Sequence, residues 1–383
     1  MEKTSNTPGQ QEEIRELASH IAKKRLAPVA AENDRSGTFP ADSIRVLGEA
    51  GLPGLIISEA YGGVGHGRSA FAAVVQELAG SCASTALIYT SHAVVIKAIE
   101  IGGSDILKKK WLPEMLRCRA LGAFAVHERD SGSNSAAIVT KAVRDGSSFI
   151  VNGSKFFITS AGEADVYLVL VRTDPAKGAQ GLSTLLIEKD TPGLSLGRSE
   201  DKMGLRSTSS REMFFSDCRV PAENIIGKEG EGQKVVGKSV VGWGFYGAAA
   251  ISVGVAKAAL EIAVKHAKER TIAGQPIGVH QAVQFLISEI MLATESAEAY
   301  LEACAAKADA SPESAVLLGF KAKLFASEMA VKVTDKAIQV LGGHGYCRDY
   351  IVERLFRDAR GLTLHFKTSE WLLQDIARTA LGL

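Results

Sequence analysis

The chain has 383 residues, enough for two or three domains around sizeable cores. Its 46% hydrophobic and 23% charged content is that of an ordinary globular protein, with 44 basic against 43 acidic residues and a net charge of +1. Nothing in that balance calls for a polyanion, so neither nucleic acid nor a membrane surface is expected as a partner.

The opening MEKTSNTPGQQEEI is polar and has no apolar signal core, so a cytoplasmic location is expected. Ile14, Leu17, Ile21 and Leu26 then recur at helical spacing, predicting an amphipathic helix that stops near Pro28. A second helix follows Phe39-Pro40 and carries Ile44, Val46, Leu47 and Leu52. Gly63, Gly65 and Gly67 do not make G-x-G-x-x-G, and no strand–helix–strand pattern surrounds them, so they are expected to form a plain loop. Residues 71–102 read as strongly apolar helix interspersed with Tyr89, Thr90, Ser91 and His92. A histidine such as His92 is more often a satisfied structural group than a catalytic one. A helix over 105–116 closes a nearly all-helical first domain, residues 1–120. No apolar run approaches the roughly 20 residues needed to span a bilayer.

The pattern then changes. Phe124-Ala-Val-His-Glu, Ala142-Val-Arg, Phe149-Ile-Val, Phe156-Phe-Ile-Thr, Val166 to Arg172, Leu185 to Glu188 and Met213-Phe-Phe read as short strands, with Asp145-Gly146 as a hairpin turn. Parallel α/β repeats are absent, so residues 121–228 are expected to form a compact antiparallel β domain. Residues 229–383 are helical again: Val253–Lys268, Gln281–Ala305 and Pro312–Val340 are long and Ala-rich, suiting a four-helix bundle. Gly342-Gly343 ends the last of these, a charged helix spans Tyr350–Arg360, and Thr368-Ser369 offers an N-cap for a helix over Glu370–Ala380. Cys82, Cys118, Cys218, Cys304 and Cys347 are scattered and odd in number, which argues for a reducing compartment and against a disulfide framework or metal site.

Ala337, Gln339, Gly342, Gly343, Gly345 and Tyr346, then Val352-Glu353-Arg354, Arg357-Asp358-Ala359 and Thr368-Ser369, resemble the closing motifs of the acyl-CoA dehydrogenase family of flavoenzymes. The resemblance covers nearly the whole chain. It implies that family's fold: an all-α N-terminal domain, an antiparallel β middle domain and a C-terminal four-helix bundle. It also implies FAD, an acyl-CoA substrate, an electron acceptor such as an electron-transfer flavoprotein, and a homo-oligomer built as a dimer of dimers.

Residue by residue, the resemblance implies flavin contacts from Phe124, Val126, His127, Gly132 and Ser133, with Ser133 also on the substrate. Phe157, Ile158 and Thr159 match the W-I-T segment that lies against the flavin ring. Arg270, Gln281, Gln339, Gly342 and Gly343 match residues that hold the pyrophosphate and adenosine end across a subunit interface, a task suited to arginine's planar fork. Thr368 and Glu370 fall beside the cofactor, and Tyr89, Ser91, His92 and Phe245 wall the acyl pocket.

Several positions depart from the family pattern. His127 replaces Thr, Arg129 replaces Pro, Phe157 replaces Trp and Ala273 replaces Phe. The aromatic-Glu-Gly-Thr run that carries the catalytic base reads His365-Phe366-Lys367-Thr368, so Phe366 stands at the glutamate position. The family's alternative base position falls at Gly244, with Phe245 in place of the neighbouring arginine. Abstraction of an α-proton needs a base, and His365, one residue before the lost glutamate, is the candidate substitute because imidazole accepts protons near neutral pH. Tyr246 is a weaker candidate. Three readings stay open: an acyl-CoA dehydrogenase with a non-standard base acting on a cyclic or unusual acyl group, a flavin monooxygenase on the same fold, and a catalytically silent FAD-binding subunit.

Overall fold

The computed structural model describes residues 8–132 and 134–383. The apolar stripes of the first domain form α1 (Pro8–Ile21), α2 (Ala27–Ser36), α3 (Ala41–Glu49), α4 (Arg68–Ser81), α5 (Ala83–Gly102) and α6 (Asp105–Met115). Pro28 does not stop the first helix. A π-helical turn over Ala22–Leu26 carries the chain on, and Pro28 falls in the first turn of α2, where its missing N–H is tolerated. The stretch 71–102 is two helices, because Cys82 takes extended backbone (φ −152°, ψ 98°) between them.

The middle domain is one eight-stranded sheet: β1 (Gly122–Ala125), β2 (Lys141–Asp145), β3 (Ser148–Ile158), β4 (Val166–Arg172), β5 (Leu182–Glu188), β6 (Leu194–Ser199), β7 (Arg211–Pro221) and β8 (Ile225–Ile226). Its order is β6-β7-β3-β2-β4-β5-β8, with β1 alongside β4. Most pairs are antiparallel, but β1 runs parallel to β4, and β2 meets β4 in parallel at Lys141–Arg172. The runs at Phe149 and Phe156 are one strand with an irregular register at Gly153, where a β-carbon would meet Thr140 Oγ1 at 2.7 Å. Strand β6, which the sequence reading passes over, is a half-exposed edge strand, so no apolar alternation marks it.

In the last domain α7 (Gly232–Val236), a π-helical stretch over Gly237–Gly244 and α8 (Phe245–Glu269) make one continuous helix. By length and composition it is apolar enough to cross a bilayer, but 67% of its most apolar window is buried within the fold. It is the central rod of the helical domain, packed on α4 of the first domain and on α9 (Gln281–Ala310) and α10 (Ala315–Leu341). Helices α11 (Ile351–Leu362) and α12 (Ser369–Leu381) follow. The expected Thr368 side-chain cap on α12 is not made; Ser369 Oγ instead donates to Glu328 Oε1 at 2.6 Å.

Two contacts fix the first domain to this rod. Asp309, in the last turn of α9, accepts from the backbone N–H groups of Arg68 (2.7 Å) and Ser69 (3.0 Å), capping α4 from another domain. Arg68 Nε donates to the carbonyl of Gly242 at 2.8 Å, within the π-helical stretch. The Trp243 ring lies against two cations, with Arg68 4.6 Å and Lys97 5.1 Å from its centroid.

Candidate active site

The end of β1, the loop after α11 and the start of α8 converge on a cluster of phenylalanines. Phe366 stacks on Phe124 (centroids 5.4 Å apart, planes at 27°) and lies 5.7 Å from Phe245, which in turn is 5.1 Å from Phe320. Both candidate base positions are in this cluster, and they touch. A β-carbon on Gly244 would meet Phe366 Cε1 at 2.4 Å and Cζ at 3.1 Å. Gly244 is therefore not an empty position. The ring at one candidate base position fills the space into which a side chain at the other would extend.

The loop carrying Phe366 is held by its carbonyls. Phe366 itself has φ +63°, a conformation that bulky residues seldom adopt and that marks a site held by its surroundings. Lys323, fully buried in α10, donates through Nζ to the carbonyls of Thr363 (3.0 Å) and Lys367 (2.7 Å). Burial pushes the Lys323 ammonium down to about 7. The intervening Phe366 carbonyl accepts from His127 Nε2 at 3.1 Å. Two departures from the family pattern, His127 and Phe366, are thus joined by a hydrogen bond. Lys367, at the family's glycine, pairs with Asp375 and sits near the Phe320 and Trp371 rings.

His365, the sequence candidate for the base, turns back onto its own helix. Its Nδ1 donates to the Gly361 carbonyl at 2.8 Å, and the ring lies close to Gly361 beside Leu205. Burial is the main cause that lowers it to about 4, and Lys323 and Lys202 press in the same direction. Lys202 Nζ is buried without a hydrogen-bond partner among the described residues. A proton arriving on His365 would be repelled by two neighbouring cations.

The acyl-wall candidates on α5 are buried. His92 is fully engaged by backbone: Gly122 N–H donates to Nδ1 (3.0 Å) and Nε2 donates to Met115 O (2.8 Å). Tyr89 Oη donates to Leu52 O at 2.8 Å. Ser91 Oγ has no partner among the described residues, nor does Thr90 Oγ1, whose side chain packs on Gly247 of α8.

The flavin candidates fall into two groups. Phe124 lies in β1 with Val126 and His127 just after its end, and beside them Phe157 is 58% exposed on a left-handed backbone (φ +54°), followed by buried Ile158 and half-buried Thr159. Gly132 has φ +51° and open space at its α-carbon. Ser133 lies outside the described residues. An open aromatic face held in an unfavourable conformation, next to a strand end, fits a flat ring ligand. Thr368 and Glu370 flank the start of α12. The second group, Arg270 and Gln281 with Gln339, Gly342 and Gly343, is exposed at the opposite end of the bundle. The 25 residues of α8, roughly 37 Å at about 1.5 Å per residue, separate it from Gly244.

Sequence reading missed the buried pair that shapes the first group. Lys155 Nζ, fully buried, donates to Glu128 Oε1 (2.9 Å) and to Val126 O (3.1 Å), while Glu128 also accepts from the backbone of Val139 and Thr140. Burial lowers Lys155 to about 8, against the pull of Glu128. Lys323 was legible in principle. It falls on the buried face of α10 with Gly319, Ala326 and Ala330, where a lysine is out of place.

Comparison with known proteins agrees with this picture. Models of the acyl-CoA dehydrogenase N-terminal, middle and C-terminal domains match residues 8–119, 123–218 and 230–381. The chain is 37% identical to an acryloyl-CoA reductase (NADH) of Anaerotignum propionicum, over 97% of this chain and 94% of that one. It is 38% identical to a cyclohex-1-ene-1-carbonyl-CoA dehydrogenase of Syntrophus aciditrophicus, over 94% and 87%. Among solved structures, butyryl-CoA dehydrogenase from Megasphaera elsdenii superposes with a TM-score of 0.94 at 32% identity, covering 98% of this chain and 99% of that one.

Proposed function

The chain belongs to the acyl-CoA dehydrogenase family, FAD-dependent oxidoreductases acting on CH–CH groups, and from that premise we propose a flavoenzyme that handles the substrate proton without a carboxylate. When bound, the flavin supplies the hydride acceptor. In our reading Val126, His127 and Phe157 hold its ring, and Phe124, Phe245, Phe320 and Phe366 keep the reacting carbons dry.

The contact between Phe366 and Gly244 is the observation that supports this proposal, because one apolar ring occupies the space of both candidate base positions. General-base catalysis is typically worth about 10²–10⁴-fold, or roughly 3–5 kcal/mol of barrier. A substrate whose C–H bond is already acidified, as at the carbon next to the double bond of a conjugated acyl thioester, cyclic or not, offsets that loss; a simple saturated chain does not. The name of the cyclohex-1-ene-1-carbonyl-CoA dehydrogenase relative is in keeping with such a substrate class.

The separation of the two cofactor groups along α8 supports a shared site. We read Arg270, Gln281, Gln339, Gly342 and Gly343 as serving the FAD of a second subunit, in a homodimer or a dimer of dimers. An electron-transfer flavoprotein is the proposed acceptor.

The test is anaerobic mixing of the flavoprotein with saturated linear, branched, cyclic and conjugated acyl-CoA esters, following flavin absorbance. Bleaching confined to acidified acyl groups is expected. Fast bleaching by butyryl-CoA would overturn the substrate class, and no bleaching by any thioester would overturn the function.

A further inference from the structure

Four titratable side chains surround the Phe366 loop, and their bonding separates them. Lys323 is committed to two carbonyls, and Lys367 is paired with Asp375. His365 is folded back onto Gly361, with Lys323 and Lys202 as its cationic neighbours. His127 differs from all three. A carbonyl only accepts, so the bond to Phe366 O makes Nε2 the protonated nitrogen and leaves Nδ1 of the neutral ring as a lone pair. The cations acting on His127 are Lys155 and Lys367, and each has its own carboxylate, Glu128 and Asp375. Among the described residues, this imidazole is the one tied to the backbone of the residue at the lost base position.

We propose that His127 is the group that exchanges a proton with the acyl substrate, with Nδ1 as acceptor and the Phe366 carbonyl fixing its tautomer. The inference rests on the reading above as a flavin-dependent acyl thioester oxidoreductase. In the oxidative direction the acidified C–H bond breaks and its proton forms an N–H bond at Nδ1. The electron pair left on carbon would become the new C=C bond, the neighbouring carbon giving up hydride to an oxidant, which the flavin would supply when bound. In the reductive direction the same N–H returns the proton. Burial lowers His127 below its ordinary value, with Lys155 and Lys367 adding to it, so the ring is neutral and in its base form at pH 7.

Proton exchange can be read without electron transfer. The holoenzyme is incubated in D₂O with an acyl-CoA thioether analogue bearing sulfur at the β position, which cannot lose hydride, and deuterium at its α-carbon is followed by mass spectrometry. His127→Gln keeps an N–H to donate to Phe366 O but has no basic lone pair; far-UV circular dichroism and the denaturation midpoint report folding, because flavin content would respond directly at a residue read as holding the ring, and His127→Asn serves if Gln does not fold. Exchange in wild type should weaken as pH falls through the lowered histidine pKa, and H127Q should lose about 10²–10⁴ of the rate together with that pH dependence. Exchange surviving in H127Q but lost in H365A would overturn the assignment in favour of His365. Exchange surviving in both would overturn it in favour of another base. Absence of exchange in wild type, with no flavin bleaching by any thioester, would overturn the functional reading itself; absence of exchange with bleaching intact would overturn His127 alone.

Discussion

Cε1 of Phe366 stands 2.4 Å from where the β-carbon of any other residue at 244 would begin. Real non-bonded carbons do not approach so closely, so the two positions compete for one volume. Gly244→Glu alone must displace the Phe366 ring and is expected to destabilise the protein by about 1–3 kcal/mol, with little gain in activity. Phe366→Glu, or Gly244→Glu combined with Phe366→Gly, restores a carboxylate in vacant space. Turnover of butyryl-CoA should rise by about 10²–10⁴ in these variants. Gly244→Glu turning over as fast as the double variant would show that the ring moves freely.

Arg270 lies at the far end of α8, beyond reach of the phenylalanine cluster of its own chain. Arg270→Ala is expected to weaken FAD retention by about 1.5–3 kcal/mol, the worth of a charge-assisted hydrogen bond. Flavin occupancy after dialysis, measured by absorbance, checks it. If the site is shared between subunits, dilution that dissociates the oligomer should release flavin as well.

His92 binds backbone groups at both ring nitrogens and is nearly solvent-free; burial lowers it to about 4. His92→Leu leaves the Gly122 N–H and the Met115 carbonyl unpaired in the core, at about 1–3 kcal/mol for each group. The denaturation midpoint should drop accordingly, while KM for acyl-CoA in the folded fraction stays constant. A change in KM with unaltered stability would place His92 on the substrate.

The Lys323 ammonium titrates near 7 in the fold, below its ordinary 10.5. The unfolded chain therefore binds that proton more readily. Stability should rise with pH between about 7 and 10.5, by up to about 1.4 kcal/mol per pH unit, and the penalty is fully present below pH 7. Lys155 and Lys202, each lowered to about 8, act in the same direction. Lys323→Met removes one such contribution, so the gain from pH 7 to 10.5 in chemical denaturation should be smaller in the variant than in wild type.

The sequence made the three-part architecture and the departures at Phe366, Gly244, Phe245 and His127 legible, because helical and alternating periods and short motifs are local signals. It did not reveal that those departures touch. Gly244 and Phe366 are 122 positions apart, and no periodicity reports which ring fills which gap. The π-helical stretch ending at Gly244 was invisible for a related reason: its residues fit an ordinary helical pattern, and the contacts that meet it there, Arg68 on the Gly242 carbonyl and Phe71 on Trp243, come from the distant first domain. His365 was singled out by proximity in sequence, whereas its tautomer is fixed by the Gly361 carbonyl of α11 and its cationic neighbours come from α10 and the segment around Lys202.

The cap that Asp309 places on α4 has a consequence for biosynthesis. A chain emerging from the ribosome in N-to-C order exposes the α4 start long before residue 309 is made, so the first-turn amides of Arg68 and Ser69 must wait on water or on a chaperone. The helical first domain has the length of an independent unit, yet its fourth helix acquires its native end only when α9 has been translated and docked. Translation pauses placed before residue 309 should therefore prolong the protease sensitivity of the α3–α4 loop, and pauses after it should not.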